Sequence, residues 1–171
     1  MELKGKRIAI LLEQIYEDPE FWYPHYRFLE AGAEVVVIAP EVKEYKSKYG
    51  YPAKADISAA DADPGSFNAV IIPGGFSPDH MRRSTDMVKF LKTAYEKGII
   101  IAAICHGPWM LASAGAVKGR EVTSFFSIKD DLVNAGGHYV DRDVVRDGNI
   151  ITSRTPKDLP AFCREIIASL Q

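Results

Sequence analysis

Continuous apolar runs that are rich in β-branched residues recur along the chain and alternate with amphipathic stretches. The clearest of these runs predict strands at Arg7–Leu12, Glu34–Ala39, Phe67–Ile72 and Ile99–Ile104. Runs of this kind are typical of strands that are buried on both faces of a parallel sheet. The amphipathic stretches predict helices at Asp18–Ala31, at Asp86–Lys97, from Gly107-Pro108 onward, at Ile128–Ala135 and at Leu159–Leu170.

Capping and turn residues define several of these boundaries. We expect Asp18 to be the N-cap of the first helix, with Pro19 in its first turn and Gly32 just beyond its end. Shorter strands are predicted at Glu121–Thr123, His138–Val140, Val144–Arg146 and Ile150–Thr152, with a hairpin turn at Asp147-Gly148-Asn149. Periodicity is weak between residues 41 and 63, where Lys54–Ile57 predicts a short edge strand or a hairpin.

Strands that alternate with helices indicate an α/β sandwich around a largely parallel sheet, which we expect to form one domain over residues 1–171. Sites in such folds lie at the C-terminal ends of the strands. Three segments are predicted to converge at this edge, namely Glu17–Glu20, Pro73–Gly75 and Cys105.

Composition narrows the class of protein. The 171 residues carry a formal net charge of −2, and their interspersed charges predict no nucleic-acid or anionic membrane partner. Cys105 and Cys163 are too few for a disulfide framework. The first apolar run, Ile8–Leu12, is too short for a signal sequence or a membrane span. We therefore expect a cytoplasmic protein.

The segment Ala103-Ile-Cys-His-Gly107 follows the strand–nucleophile–helix pattern of a G-x-S-x-G elbow, with cysteine in the place of serine. Free N–H groups and the helix dipole at such a turn favour an anion, so we expect the pKa of Cys105 to be lowered. The alternative is a buried structural cysteine at the end of a strand. The turn, the helix start and the adjacent histidine favour the reactive interpretation.

Several motifs, in consistent order over almost the whole chain, resemble the DJ-1/PfpI superfamily and its PfpI-type intracellular protease branch. These motifs are Tyr16-Glu-Asp-Pro-Glu20 with Tyr23-Pro24, Pro73-Gly-Gly75, Ala103-Ile-Cys-His-Gly-Pro108, Ile128-Lys-Asp-Asp131 with Asn134-Ala-Gly136, and Asp147-Gly-Asn149 with Ser153-Arg154. The Cys-His-Gly-Pro elbow after Pro-Gly-Gly is specific, whereas the acidic stretch alone is a weak signal. The resemblance implies a flavodoxin-like three-layer sandwich with the cysteine at a nucleophile elbow.

The resemblance also implies roles for individual residues. Glu20 corresponds to the carboxyl group that hydrogen-bonds the thiol of Cys105, and the N–H groups of Gly75 and His106 correspond to an oxyanion hole. In the PfpI branch a histidine at the place of His106 forms a proposed triad with an acid from a neighbouring subunit, here at Asp79. This implies a homo-oligomer, a dimer at least and in the PfpI branch a hexamer built from dimers.

The chain departs from the PfpI pattern in two places. Phe76 and Asp79 stand where the branch typically has arginine and glutamate, and Asp79 is one methylene shorter than glutamate. Phe125 stands where the branch usually has tyrosine, which removes a hydroxyl group from the site. These changes weaken the predicted proteolytic triad more than the reactive cysteine.

Other candidates have simpler interpretations. Adjacent residues do not face each other on a helix, so His106 need not reach the Cys105 sulfur, and its N–H is the firmer prediction. Glu17 is expected to be an ordinary first-turn acid or an interface residue, and Cys163 to pack in the core. The remaining histidines show no metal-ligand spacing, and we expect no metal and no cofactor. The aromatic residues are expected to line the core, the pocket or an interface: Tyr16, Phe21, Trp22, Tyr23 and Tyr26.

The sequence therefore predicts a cysteine-nucleophile hydrolase of the PfpI type that attacks carbonyl substrates through Cys105. Peptide hydrolysis through an acyl-enzyme and conversion of a small aldehyde such as methylglyoxal, the glyoxalase or deglycase chemistry of relatives, both pass through tetrahedral adducts. A third alternative is a non-enzymatic sensor of oxidative stress or a chaperone, in which Glu20 stabilises oxidised Cys105.

Overall fold

A computed structural model describes residues 1–171. The strands are β1 Arg7–Leu11, β2 Glu34–Ala39, β3 Glu44–Lys46, β4 Pro52–Lys54, β5 Ile57–Ser58, β6 Ala69–Ile72, β7 Ile100–Ile104, β8 Glu121–Val122, β9 His138–Tyr139, β10 Val144–Asp147 and β11 Ile150–Ser153. The helices are α1 Asp18–Glu30, α2 Ser77–Met81, α3 Thr85–Glu96, α4 Pro108–Ser113, α5 Lys129–Asn134 and α6 Leu159–Leu170. No helix is long and apolar enough to cross a membrane.

Seven strands form the central sheet in the order β10-β11-β7-β6-β1-β2-β5. Every pairing is parallel except that of β10 with β11, which form the predicted hairpin. The chain leaves β1 for β2 on one side and returns to β6 on the other side. The order therefore reverses between β1 and β6, and this switch point is where such sheets bind ligands.

The core consists of one apolar layer on each face of the sheet. On β1, Ile8 and Ile10 face the layer that contains α1 and α6, whereas Ala9 and Leu11 face the layer with α3 and α4. This alternation follows from the period of two in a strand, and both faces are covered because the central strands are apolar throughout. The structure confirms the predicted three-layer α/β sandwich.

One local prediction is wrong. Asp18 is the first residue of α1, and the N-cap is Glu17, whose side chain makes no capping hydrogen bond. Around Lys54–Ile57 the structure has both of the predicted alternatives with other bounds, because the hairpin is β3–β4 and the edge strand is β5. The short α2 after Pro73–Gly75 has too few residues to show a helical period in the sequence.

Candidate active site

The turn after β7 holds Cys105 in a strained backbone conformation. Its φ angle is 62°, in the left-handed region that residues with a Cβ atom rarely adopt. The Cys105 N–H donates to the Ser153 carbonyl at 3.0 Å, and the Cys105 carbonyl accepts from the Phe125 N–H at 2.9 Å. A Cβ atom at Gly107 would lie 2.5 Å from the carbonyl oxygen of Ile72, so only glycine fits there. This is the geometry of a nucleophile elbow.

The loops after β1 and β6 are tied together beside this turn. The Glu17 N–H donates to the Gly74 carbonyl at 3.3 Å, and the Phe76 N–H donates to the Ile15 carbonyl at 3.0 Å. Gly75 has a φ of 75°, and a Cβ atom there would meet the Glu17 nitrogen at 2.6 Å. Close backbone approach at this glycine therefore brings the start of α1 to the cysteine.

Glu20 is fully buried beside the thiol. Its Oε2 accepts from the Gly74 N–H at 2.7 Å, and the thiol of Cys105 is the side chain with which its carboxyl group can share a hydrogen bond. Burial raises the pKa of Glu20 from 4.5 to about 8, so the carboxyl group is mostly protonated at neutral pH. A protonated Oε1 supplies the O–H that can donate to the neighbouring sulfur.

The thiol of Cys105 does not have the lowered pKa that the helix start predicts. Burial raises its pKa, and the carboxylate form of Glu20 raises it further. The N–H groups of Gly75 and His106 are directed at Sγ and oppose this change. The expectation is wrong because it counted these N–H groups and neglected desolvation of the thiolate. The thiol therefore needs a base at the moment of attack.

His106 is the side chain nearest to the thiol that can accept a proton. Its Nδ1 lies 3.2 Å from Cys105 Sγ, and its Nε2 lies 3.3 Å from the hydroxyl group of Ser127. Burial lowers the pKa of His106, so the ring is neutral at neutral pH. A proton on Nε2 that is donated to Ser127 leaves Nδ1 free to accept from the thiol. The ring stacks on Phe125 with centroids 5.2 Å apart.

His106 reaches the sulfur, although adjacent residues on a helix do not face each other. Cys105 lies before α4, and its left-handed φ turns the two side chains toward each other. Asp79 lies on α2, and its half-exposed carboxylate forms an ion pair with Arg83. Within one chain, His106 therefore has Ser127 rather than Asp79 at its second ring nitrogen.

A pocket of about 380 Å³ opens over Cys105. Its lining residues are Glu17, Glu20, Lys48, Gly75, Phe76, Cys105, His106, Phe125 and Pro156. Glu17 and Lys48 face each other across the rim, with Nζ 3.4 Å from Oε2. A cavity of about 410 Å³ at the opposite, N-terminal edge of the sheet is lined by residues such as Arg7 and Glu34 and contains no cysteine.

The other candidates lie away from this chemistry. Cys163 is buried in the core on α6, as predicted. No group of three or more His, Cys, Asp and Glu side chains is arranged to hold a metal ion. Of the aromatic residues, Tyr16 and Phe21 are buried in the core, whereas Tyr23 and Tyr26 are exposed.

Lys48 and Ser127 lie at the site but were not predicted from the sequence. Lys48 lies in the stretch without clear periodicity, and Ser127 lies in a short 3₁₀ turn before α5. Neither belongs to a motif whose spacing predicts a role. Glu17 lines the pocket instead of serving only the helix start.

The chain is similar over almost its whole length to known proteins. The model of the DJ-1/PfpI family matches residues 6–169. A protein of Pyrococcus furiosus named "Deglycase PfpI" is 39% identical over 165 residues, which cover 96% of this chain and 99% of that protein. "Putative cysteine protease YraA" of Bacillus subtilis is 43% identical over 98% of this chain and 99% of its own length.

A solved structure extends the similarity to the fold. The two-domain protein of Anabaena variabilis with DJ-1/ThiJ/PfpI-like and ferritin-like domains superimposes with a TM-score of 0.95 and 43% identity. The match covers 97% of this chain and 48% of that one.

Proposed function

The chain belongs to the DJ-1/PfpI family, and we propose that it is a cysteine-dependent enzyme acting on small α-oxo-aldehydes, such as methylglyoxal, and on their adducts with amines or thiols. One observation carries this proposal. Cys105 Sγ, a neutral His106 and a protonated Glu20 meet at the base of a pocket of about 380 Å³.

The first step is addition of sulfur to the aldehyde carbon. His106 Nδ1, 3.2 Å from Sγ, takes the thiol proton as the S–C bond forms and the carbonyl π bond breaks. The new oxyanion is met by the N–H groups of Gly75 and His106 and can take the proton of Glu20. His106 must be neutral before it can accept the thiol proton, and its lowered pKa favours this neutral form.

The second step converts the adduct into an acid. The proton on the aldehyde carbon moves to the ketone carbon, so the former is oxidised and the latter reduced within one molecule. The resulting thioester is hydrolysed by water, which releases lactate from methylglyoxal and restores the thiol. Before this step His106 returns the thiol proton to the Glu20 carboxylate, and its neutral ring can then carry the proton between the two carbons. The balance needs only water.

Peptide hydrolysis is the second candidate, because the same 3.2 Å contact between Cys105 and His106 would also serve an acyl transfer. It would add an orienting acid, for which Asp79 from a neighbouring copy in a homo-oligomer is the candidate. Two features favour small carbonyl compounds over peptides as substrates. The pocket is compact, and Asp79 is engaged by Arg83.

The test measures lactate formed from methylglyoxal and cleavage of a fluorogenic peptide by the same preparations. Wild type and Cys163→Ala are expected to form lactate, and Cys105→Ala is expected to form none. Cys163→Ala is the matched control because it removes the other cysteine. Peptide cleavage without lactate formation would overturn the proposal, and loss of that cleavage in Asp79→Asn would support the cross-subunit triad.

A further inference from the structure

Lys48 is held over the pocket by its backbone. The Lys48 N–H donates to the Tyr16 carbonyl at 2.8 Å, which ties the residue to the loop that leads into α1. The preceding Ser47 is buried, and its hydroxyl group accepts from the N–H groups of Tyr49 at 3.1 Å and Tyr51 at 2.9 Å. The turn between β3 and β4 is therefore closed by its own hydrogen bonds. These bonds fix the backbone from which the Lys48 side chain extends.

The ammonium group of Lys48 has unused donors. Its one hydrogen-bond and ion-pair partner is Glu17, at 3.4 Å, a long contact for an ion pair. The ring of Tyr49 lies 5.7 Å from Nζ and uses none of its N–H donors in a hydrogen bond. An ammonium group has three N–H donors, and a single exposed ion pair holds it only weakly. The Lys48 side chain is 44% exposed and that of Glu17 is 18% exposed, so the positive member of the pair is the more accessible one.

The remaining pocket wall offers no competing cation. At neutral pH Glu20 is mostly protonated and His106 is neutral, as their pKa changes require. Phe76, Phe125 and Pro156 complete the wall with apolar surface. The N–H groups of Gly75 and His106 face the reacting sulfur. Beyond them, the only cationic side chain that lines the pocket and can recognise a negative charge is Lys48.

We infer that Lys48 is a specificity-determining residue that selects carbonyl compounds bearing a carboxylate, with Glu17 positioning its ammonium group at the rim. The carboxylate accepts from the free N–H donors of Lys48 while the carbonyl carbon lies against Cys105. The reaction of such a substrate rests on the proposed function. The preference of the pocket for a negative charge does not rest on the proposed function, because it concerns binding alone.

The charge preference is tested with two alkylating reagents that differ only in charge. Iodoacetate and iodoacetamide each form an S–C bond with Cys105 and release iodide, and mass spectrometry of the Cys105 peptide gives both rate constants. The ratio of the iodoacetate to the iodoacetamide rate constant cancels any effect on the thiol itself. In Lys48→Met this ratio is expected to fall about tenfold relative to wild type, as for loss of a hydrogen bond to a charged group.

Two controls sharpen this comparison. Lys48→Arg is expected to retain the wild-type ratio because it keeps the charge. Lys46→Met removes an exposed lysine of the same hairpin that does not line the pocket, and it is expected to leave the ratio unchanged. An unchanged ratio in Lys48→Met, or an equal fall in Lys46→Met, would overturn the inference.

Turnover provides the second measurement. The substrate 4,5-dioxopentanoate, an α-oxo-aldehyde with a terminal carboxylate, is compared with its methyl ester. The ratio of kcat/KM for the acid to kcat/KM for the ester is expected to exceed one in wild type and to approach one in Lys48→Met. An equal ratio in both proteins would contradict the inference. If wild type converts no α-oxo-aldehyde, the proposed function fails, and the alkylation ratio still decides whether Lys48 selects a carboxylate.

Discussion

Replacing Glu20 by glutamine should change how the stability of the protein depends on pH. The pKa of Glu20 is raised by burial from 4.5 to about 8 in the folded protein. Between these values the folded state binds a proton that the unfolded state has released, so the free energy of unfolding falls as pH rises. A tenfold change in proton affinity corresponds to about 1.4 kcal/mol, which makes the total loss between pH 4.5 and about pH 8 about 5 kcal/mol.

Glutamine removes this pH dependence of the free energy of unfolding because it is neutral at every pH. It also keeps an oxygen that accepts from the Gly74 N–H. Chemical denaturation of wild type and Glu20→Gln from about pH 5 to about pH 9 measures the difference. Changes from the lowered pKa values of His25 and His106 occur in both proteins and largely cancel. The stability of Glu20→Gln relative to wild type should rise across this range. A constant difference would refute the assignment of a proton to Glu20.

Three further substitutions test the geometry. Cys105→Gly should be more stable than Cys105→Ala by about 1 kcal/mol in denaturant titrations, because φ is 62° there and glycine accepts it without strain; equal stabilities would argue against the strain. Gly74→Ala should abolish lactate formation while the far-ultraviolet circular dichroism stays native, since its Cβ would overlap Glu20 Oε2 and lie 2.8 Å from the Cβ of Cys105; retained activity would contradict this packing. Ser127→Ala should lower kcat about fivefold with little change in KM, as for loss of one neutral hydrogen bond, and an unchanged kcat would remove Ser127 from the site.

The sequence was sufficient where a segment is decided by its own pattern. Glu34–Ala39 and Leu159–Leu170 are observed within their predicted bounds, because each is a continuous or strongly periodic apolar stretch between clear end signals. The position of Cys105 between a strand and a helix was predictable for the same reason. The rule that sites lie at the C-terminal ends of strands placed the segments Glu17–Glu20 and Pro73–Gly75 beside it. The family resemblance then singled out Glu20 and Gly75 within these segments.

Features that depend on three-dimensional contacts were not predictable from local pattern. The contact of His106 with the sulfur arises from the left-handed φ at Cys105. A glycine at this position would have indicated such a turn, but a cysteine does not. The raised pKa of the thiol depends on burial by distant segments. Lys48 reaches the pocket through a hairpin in a stretch with no periodicity.

The most direct measurement follows the bond between Cys105 and an aldehyde. Wild-type protein in excess is mixed with methylglyoxal labelled with carbon-13 at the aldehyde carbon, and nuclear magnetic resonance follows the label. The account predicts a transient sulfur-bound carbon that gives way to the carboxylate of lactate, with both signals absent in Cys105→Ala and present in Cys163→Ala. Lactate formed equally by Cys105→Ala, or unconverted methylglyoxal in the presence of wild type, would contradict it.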